Sequence, residues 1–178
     1  MVKTFLKSRE AQLVAVMLLM VAAIASRFPG FIAPGNLASV FNDTSILIIL
    51  AFGQMAVILT KCIDLSIAAN LALCGMAAAL LNVAFPDLSL AVILPLTILL
   101  GAMLGSVNGL LVWKLDIPSI VVTLGTMTIY RGIIFLLTDG AWINAHEMSD
   151  AFKAFPRSTL IGLPVLSWFA IATIAAIY

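Results

Sequence analysis

Charged residues are scarce in this chain of 178 residues. Asp, Glu, Lys and Arg together make up 10% of it, against about 25% in soluble domains. The net charge of +1 offers no attraction for nucleic acid. One histidine and two cysteines, Cys62 and Cys74, form no CxxC pair or Cys/His cluster, so no metal site is indicated. A GxxxxGK[ST] phosphate loop is also absent from the sequence, which excludes nucleotide hydrolysis by that route.

Long apolar runs fill most of the sequence instead. Hydrophobic residues make up 63% of it, and a membrane-crossing helix needs roughly 20 mostly apolar residues. Short polar joints separate six runs, at residues 11–26, 46–60, 67–84, 90–113, 118–137 and 160–178. The pattern predicts an all-α fold, a polytopic transmembrane helical bundle of five or six spans, in a single domain over residues 1–178. An amphipathic bridge through Leu37, Val40 and Phe41 is expected before the short second run.

Lysine and arginine beside the runs indicate the orientation, because they are more frequent in short cytoplasmic loops. With the N-terminus inside, the inner side holds Lys3, Lys7, Arg9, Lys61 and Lys114, and the outer side holds Arg27, Lys153 and Arg157. We therefore expect a cytoplasmic N-terminus and an outward-facing hydrophilic segment at residues 138–158.

The first run also has features of a signal peptide. Basic residues precede it, and Ala23-Ile24-Ala25 before Ser26 is similar to a cleavage site. An uncleaved first span is favoured, because the runs that follow are also membrane segments.

Three glycines recur every four residues in the fourth run. Gly101, Gly105 and Gly109 therefore lie along one ridge of a helix. A ridge without side chains allows a neighbouring helix backbone to approach closely, which is how membrane helices gain packing energy. We predict a helix-packing role for the three glycines, and we expect Asn108 to bond across to another helix.

Asp64 is the charged residue that most needs an explanation. It follows Lys61 between two apolar runs, and a carboxylate at membrane depth costs about 2.5–3.5 kcal/mol on insertion scales. One interpretation is an ordinary turn in which Asp64 or Ser66 caps the next helix. The other is a broken-helix element that lines a polar cavity. Residue spacing leaves both open.

Arg131 lies within the fifth run, six residues before Leu137, which is about 9 Å along a helix. An arginine stem can extend to the interface over that distance, so this interpretation is favoured over a place in a translocation route. Thr126 and Tyr130 add polar atoms on a neighbouring face and are further candidates for the route. No second embedded carboxylate or Ser/His pair accompanies them, so the sequence indicates no catalytic residues and no cofactor.

Three stretches resemble one family, the permease subunits of ABC sugar importers of the ribose type. The first is IDLSIA at residues 63–68, the second is IPSIVVTLGTMTIYRG at 117–132, and the third is TDGAWI at 138–143. The second stretch is the most specific, because it matches a dozen positions in order. The loop with Trp142 is most similar to the rhamnose and autoinducer-2 branches.

The resemblance implies a function and partners. It implies a subunit of the bacterial inner membrane that translocates a monosaccharide or a similar small polar solute and is not itself an enzyme. A cytoplasmic ABC ATPase, a second permease subunit (identical or different) and a periplasmic sugar-binding protein are the implied partners. Asp64, Thr126, Tyr130 and Arg131 are the candidates for the translocation route.

The chain departs from the family pattern in two ways. Family members usually have two small residues, often Gly-Gly, before the Ile-Asp pair, where this chain has Lys61 and Cys62, and Ala68 stands where glycine is common. They are also about twice as long. The expectation is therefore an N-terminal half, truncated at the C-terminus, and the alternative function is a non-transporting structural fragment of such a permease.

Overall fold

The computed structural model describes residues 9–177. Lys3 and Lys7, which contribute to the predicted orientation, lie outside the described residues. The contacts divide the chain after Thr44 into two compact units, which are described separately. The prediction of a single domain stays a prediction.

The first unit begins with helix α1 (Arg9–Arg27) and a 3-10 turn (Pro29–Ile32). Helix α2 (Pro34–Leu59) follows as one continuous helix of 26 residues, which begins in the first unit and ends in the second. The expectation of a fifteen-residue run after a separate amphipathic bridge is therefore wrong. Polar Asn42 and Asp43 interrupt the apolar pattern there, but no proline follows Pro34 to break the backbone hydrogen bonds, and proline suits a first turn.

The next three helices follow the predicted runs closely. They are α3 (Ile67–Ala84), α4 (Leu90–Leu115) and α5 (Ser119–Thr138). Ser89 caps α4 by accepting a hydrogen bond from the backbone N–H of Ala91. Pro118 stands immediately before α5 as its N-cap residue.

The last apolar run is not one helix. A short helix α6 (Asp150–Ala154) and a 3-10 turn (Phe155–Arg157) precede a hairpin of β1 (Thr159–Leu160) and β2 (Leu163–Pro164). Helix α7 (Val165–Ile177) begins only after the hairpin. The turn between the strands has positive φ at both Ile161 (52°) and Gly162 (78°), the pattern of a two-residue type I′ hairpin turn.

Within residues 9–177, five helices, α1 to α5, are long and apolar enough to cross a membrane. The prediction of a polytopic helical membrane protein is confirmed. In the second unit, α3 packs against both α4 and α5. Ala69 and Leu73 of α3 and Tyr130 of α5 form the buried apolar cluster at that junction. Large apolar side chains elsewhere on these helices are exposed, as lipid-facing positions of a membrane bundle are.

Candidate functional site

The break between α2 and α3, at residues 60–66, contains several polar side chains. Helix α2 is closed by a backbone hydrogen bond from Lys61 N to Ile58 O (2.8 Å) and one from Cys62 N to Val57 O (3.3 Å). Lys61 has a φ of 62°, in the left-handed region that favours glycine because a side chain is crowded there. The family-like small residue before Ile63 is thus replaced by lysine at a position whose backbone suits glycine.

A chain of three hydrogen-bonded side chains connects this break to α4. Asp64 Oδ1 accepts hydrogen bonds from the Ser66 backbone N–H and from Ser66 Oγ, both at 2.7 Å. Ser66 Oγ in turn accepts a hydrogen bond of 2.8 Å from Asn108 Nδ2. Ser66 is fully buried and Asn108 is 5% exposed. Asn108 was predicted to bond across to another helix, and its partner, Ser66, is the residue immediately before α3.

The interpretation of Ser66 as a helix cap is wrong, whereas Asp64 does accept the backbone N–H of Ser66, the residue immediately before α3. Ser66 occupies the N-cap position of α3, but its side chain makes no capping hydrogen bond to the helix. Its hydroxyl hydrogen goes to Asp64, and its lone pair accepts from Asn108. The carboxylate therefore orients a polar link between two elements 42 residues apart in sequence.

The first turn of α5 contacts the break between α2 and α3. Ser119 Oγ accepts a hydrogen bond of 3.2 Å from the backbone N–H of Ile63. Thr123 Oγ1 lies 3.3 Å from Ile63 O, but it is closer to Ser119 O of its own helix, at 2.8 Å, so its one hydroxyl hydrogen donates mainly to that carbonyl. Ser119 is not among the site residues predicted from the sequence. Its one signal is a polar residue directly after Pro118, which is also the signature of an ordinary helix start.

A cavity of about 270 Å³ lies beside this polar link. The residues that line it come from the end of α2, the break, α4 and α5: Val57, Thr60, Cys62, Ile63, Asp64, Gly105, Asn108, Gly109, Val112, Ser119 and Thr123. Asn108 Oδ1 is buried and has no hydrogen-bond partner among the described residues. The lining is mostly apolar and includes no Lys, Arg or His.

The three glycines of α4 differ in their surroundings. A Cβ atom at Gly101 would lie 3.3 Å from the Cys74 sulfur on α3, so the two helices approach closely there. A Cβ atom at Gly105 or Gly109 would meet no atom of the described chain within 4 Å, and both residues line the cavity. The packing role of the glycine ridge stays a prediction, and close approach within this chain is limited to Gly101.

Thr126 and Tyr130 do not line the cavity. Thr126 is buried and donates to its own helix, at 3.1 Å from Val122 O and 3.3 Å from Thr123 O. Tyr130 is 3% exposed, and its hydroxyl donates to Leu104 O of α4 at 2.8 Å. Both hydroxyl groups donate to backbone carbonyl oxygens of helices in this structure. Their place on a translocation route stays a prediction.

Arg131 lies at a second cavity, of about 190 Å³, where α5 meets the loop that follows it. Trp142, 84% exposed, is part of the same lining. The one ion pair among the described residues joins Lys153 to Asp150, so no described carboxylate pairs with Arg131. The four route candidates therefore do not form one site: Asp64 and Arg131 line different cavities.

Residues 139–158, the loop after α5, carry their own electrostatic contacts. Glu147 Oε2 accepts a hydrogen bond of 2.6 Å from the backbone N–H of Asn144, which lowers the pKa of the carboxyl group. Lys153 Nζ lies 2.8 Å from Asp150 Oδ1 and lowers the pKa of that carboxyl group. Among the described residues, no group of three or more His, Cys, Asp or Glu could hold a metal ion.

Comparisons with known proteins point to a transport family. The family described as "Branched-chain amino acid transport system / permease component" matches residues 36–178. The autoinducer 2 import system permease protein LsrC of Klebsiella pneumoniae is 35% identical over 98% of this chain and 49% of its own length. The protein of the same description from Escherichia coli O157:H7 is 37% identical over 98% of this chain and 50% of its own length. The one from Photorhabdus luminescens is 40% identical over 77% of this chain and 40% of its own length.

The chain thus spans about half the length of these curated relatives. No solved structure matches it.

Proposed function

Because the chain belongs to the family of permease components of branched-chain amino acid transport systems, we propose that it is a membrane-spanning permease subunit of an ABC importer. Its cargo is a monosaccharide or a similar small polar solute, and its membrane is the bacterial inner membrane. Three relatives carry the description of autoinducer 2 import permeases, so autoinducer 2 is the first solute to test. The resemblance to ABC sugar permeases found in the sequence is confirmed.

The observation that carries the proposal is the polar break beside the 270 Å³ cavity. Irregular backbone and a carboxylate at membrane depth are tolerated where they are buried in protein or line a polar cavity. Transporters use such interrupted helices to provide polar contacts for a solute near the route. Asp64, held by Ser66 and lining the cavity, is the route residue that this geometry supports best.

The importer needs other chains. A cytoplasmic ABC ATPase would supply the energy, and a periplasmic binding protein would deliver the solute. A second permease subunit, identical or different, would complete the pore. The family supports these partners in general, and their identity belongs to the proposal.

Uptake by cells tests the proposal. In a strain that lacks this gene but keeps its other transport genes, we expect the restored gene to recover uptake of labelled autoinducer 2 or of a monosaccharide such as ribose. Asp64→Ala should reduce uptake at equal membrane abundance. Asp87→Ala is the matched control, because Asp87 is an exposed carboxylate outside the cavity. Failure of the wild-type gene to restore any uptake, despite normal abundance, would favour a non-transporting fragment.

A further inference from the structure

The cavity of about 190 Å³ at the end of α5 has a different chemical character from the one beside Asp64. Four of the residues that line it are spaced i, i+3, i+4 and i+7 and therefore share one face of α5: Arg131, Ile134, Phe135 and Thr138. Met76 of α3 and residues 140–142 of the following loop complete the lining. One helix face, a second helix and a loop thus enclose this space.

The polar side chains of this lining are donors, and one of them is a cation. The guanidinium group of Arg131 has five N–H donors, the indole of Trp142 has one, and neither offers an acceptor. Neither side chain makes a hydrogen bond or an ion pair within the described residues 9–177. Thr138 commits its hydroxyl hydrogen to Ile134 O at 3.0 Å. Because the lining contains no Asp or Glu, the cavity favours a ligand that brings negatively charged acceptors.

The rest of the lining is apolar, and apolar surface continues beyond it. Met76, Ile134 and Phe135 provide apolar walls, and Phe135 is 65% exposed. Leu124 is 43% exposed and lies seven residues before Arg131, so it continues the same face of α5 about 10 Å further along the helix. An anionic group attached to a long hydrocarbon chain matches both parts of this surface.

The position and the size of the cavity agree with a lipid ligand. Arg131 lies about 10 Å from the end of α5, a distance over which an arginine stem can extend to the headgroup layer. Trp142 is 84% exposed and belongs to a residue type that is enriched at membrane interfaces. At about 30 Å³ for each water molecule of liquid, the cavity corresponds to about six waters. This volume suits a headgroup and leaves the acyl chains on the exposed helix face.

We propose that this cavity binds the phosphodiester headgroup of one anionic phospholipid. Arg131 and Trp142 donate to the phosphate oxygens, and an acyl chain lies along the α5 face that includes Leu124. A planar guanidinium group suits this role, because it donates two parallel hydrogen bonds to one phosphate. A lipid with a net negative charge is favoured over a zwitterionic one, because a headgroup ammonium would find no carboxylate in the lining. The site goes beyond the proposed transport function and does not depend on the solute that is carried.

Native mass spectrometry of the full chain tests this site, because it counts the lipids bound to each protein molecule. In detergent titrated with phosphatidylglycerol, we expect one lipid to bind more tightly than the others, and more tightly than phosphatidylcholine of the same chain length. Arg131→Gln should weaken this first binding step about tenfold or more, the loss expected for a charge-assisted hydrogen bond. Arg157→Gln is the matched control and should leave the step unchanged, because Arg157 is an exposed arginine outside the cavity.

Three results overturn the proposal. They are equal binding of the two lipids, an unchanged first step in Arg131→Gln, and an equal loss in Arg157→Gln. Glycerol 3-phosphate separates a lipid site from a site for a soluble anion, because it carries the phosphate without acyl chains. It should not displace phosphatidylglycerol at millimolar concentration, and displacement would overturn the assignment to a lipid.

Trp142→Phe provides an independent variant if Arg131→Gln does not fold. Trp142 is 84% exposed, so the change removes no buried contact. Phenylalanine keeps an aromatic ring but lacks the N–H donor, so the first binding step should weaken about threefold. Trp113→Phe is its control, because Trp113 is an exposed tryptophan of α4 outside the cavity. Unchanged binding in Trp142→Phe, or an equal loss in Trp113→Phe, overturns the proposal.

Discussion

Asn82 of α3 and Ser149, 67 residues later, exchange two hydrogen bonds of 2.9 Å. Asn82 Nδ2 donates to Ser149 Oγ, and the Ser149 backbone N–H donates to Asn82 Oδ1. Asn82 is 1% exposed, so both bonds are shielded from solvent. Ser149 also caps α6 by accepting from the Phe152 backbone N–H at 3.4 Å. One buried amide therefore fixes the loop of residues 139–158 to the end of a spanning helix.

We predict that Asn82→Ala loosens this loop. Two hydrogen bonds worth about 0.5–1.5 kcal/mol each are lost, so stability should fall by about 1–3 kcal/mol. Hydrogen exchange in nanodiscs should increase at residues 145–155 and remain unchanged in α4. Asn70→Ala is the matched control, because Asn70 is on the same helix but donates to Gly101 O at 3.4 Å. Equal exchange in the loop for both variants would show that Asn82 does not hold it.

Sequence predicts the elements of this fold where polar joints coincide with the ends of helices. The boundaries of α3 follow from Asp64 on one side and the Pro86-Asp87 pair on the other. The start of α2 was not predictable, because Asn42 and Asp43 break the apolar pattern without breaking the helix. The hairpin of β1 and β2 was not predicted from the sequence, because Ile161 and Leu163 continue an apolar run. Within the turn, Gly162 is the residue that indicates it.

The candidate site was predictable only in part. Asp64 attracts attention by its charge, and Asn108 by its polarity within an apolar run. Their link through Ser66 depends on how α3 and α4 pack, which residue spacing does not encode. Thr126 and Tyr130 share a helix face as expected, but their hydroxyl groups bond to helix carbonyls instead of lining the cavity. A polar side chain in a membrane helix can form a hydrogen bond to a backbone carbonyl or line a solute route. The residue type alone does not show which of these two roles it has.

The left-handed backbone at Lys61 leads to a second prediction. With φ at 62°, a residue with a Cβ atom carries a cost of about 1–2 kcal/mol that glycine avoids. Part of this gain is offset by the greater freedom of glycine in the unfolded chain, about 0.5–1 kcal/mol. Lys61→Gly should therefore be more stable than Lys61→Ala by about 0.5–1 kcal/mol. The alanine variant controls for loss of the charge, and identical unfolding midpoints in detergent would argue against strain at this position.

The two kinds of glycine on α4 give a third prediction. Alanine at either Gly101 or Gly105 gains about 0.5–1 kcal/mol of helix propensity. Only at Gly101 does the new methyl group press on Cys74, at 3.3 Å from its sulfur. Gly101→Ala should therefore be less stable than Gly105→Ala by about 1 kcal/mol, the lower end of the cost of overpacking.

A double-mutant cycle checks the cause. Cys74→Ala should remove the difference if the sulfur is the obstacle. A difference that survives this change would mean that another contact limits α4 at Gly101.

The last prediction concerns Arg131, which lies seven residues before the end of α5, or about 10 Å along the helix. Its side chain is exposed beside Trp142 and has no described carboxylate partner. Tryptophan and long basic side chains both favour the membrane interface. If Arg131 only reaches the interface, Arg131→Lys should keep uptake near the wild-type rate at equal membrane abundance, because the lysine stem reaches equally far. Arg131→Leu should lower abundance or uptake, because it loses that anchor.

A fixed role in the route predicts a different result for the same pair of variants. Lysine cannot reproduce the planar fork of a guanidinium group. Loss of a charge-assisted hydrogen bond, about 1.5–3 kcal/mol, would slow uptake about tenfold or more in Arg131→Lys as well. Met76→Leu is the matched control, because it changes an apolar residue of the same cavity without altering charge. Low uptake in both arginine variants, with normal abundance and a normal control, would exclude the interface role and make Arg131 part of the solute route.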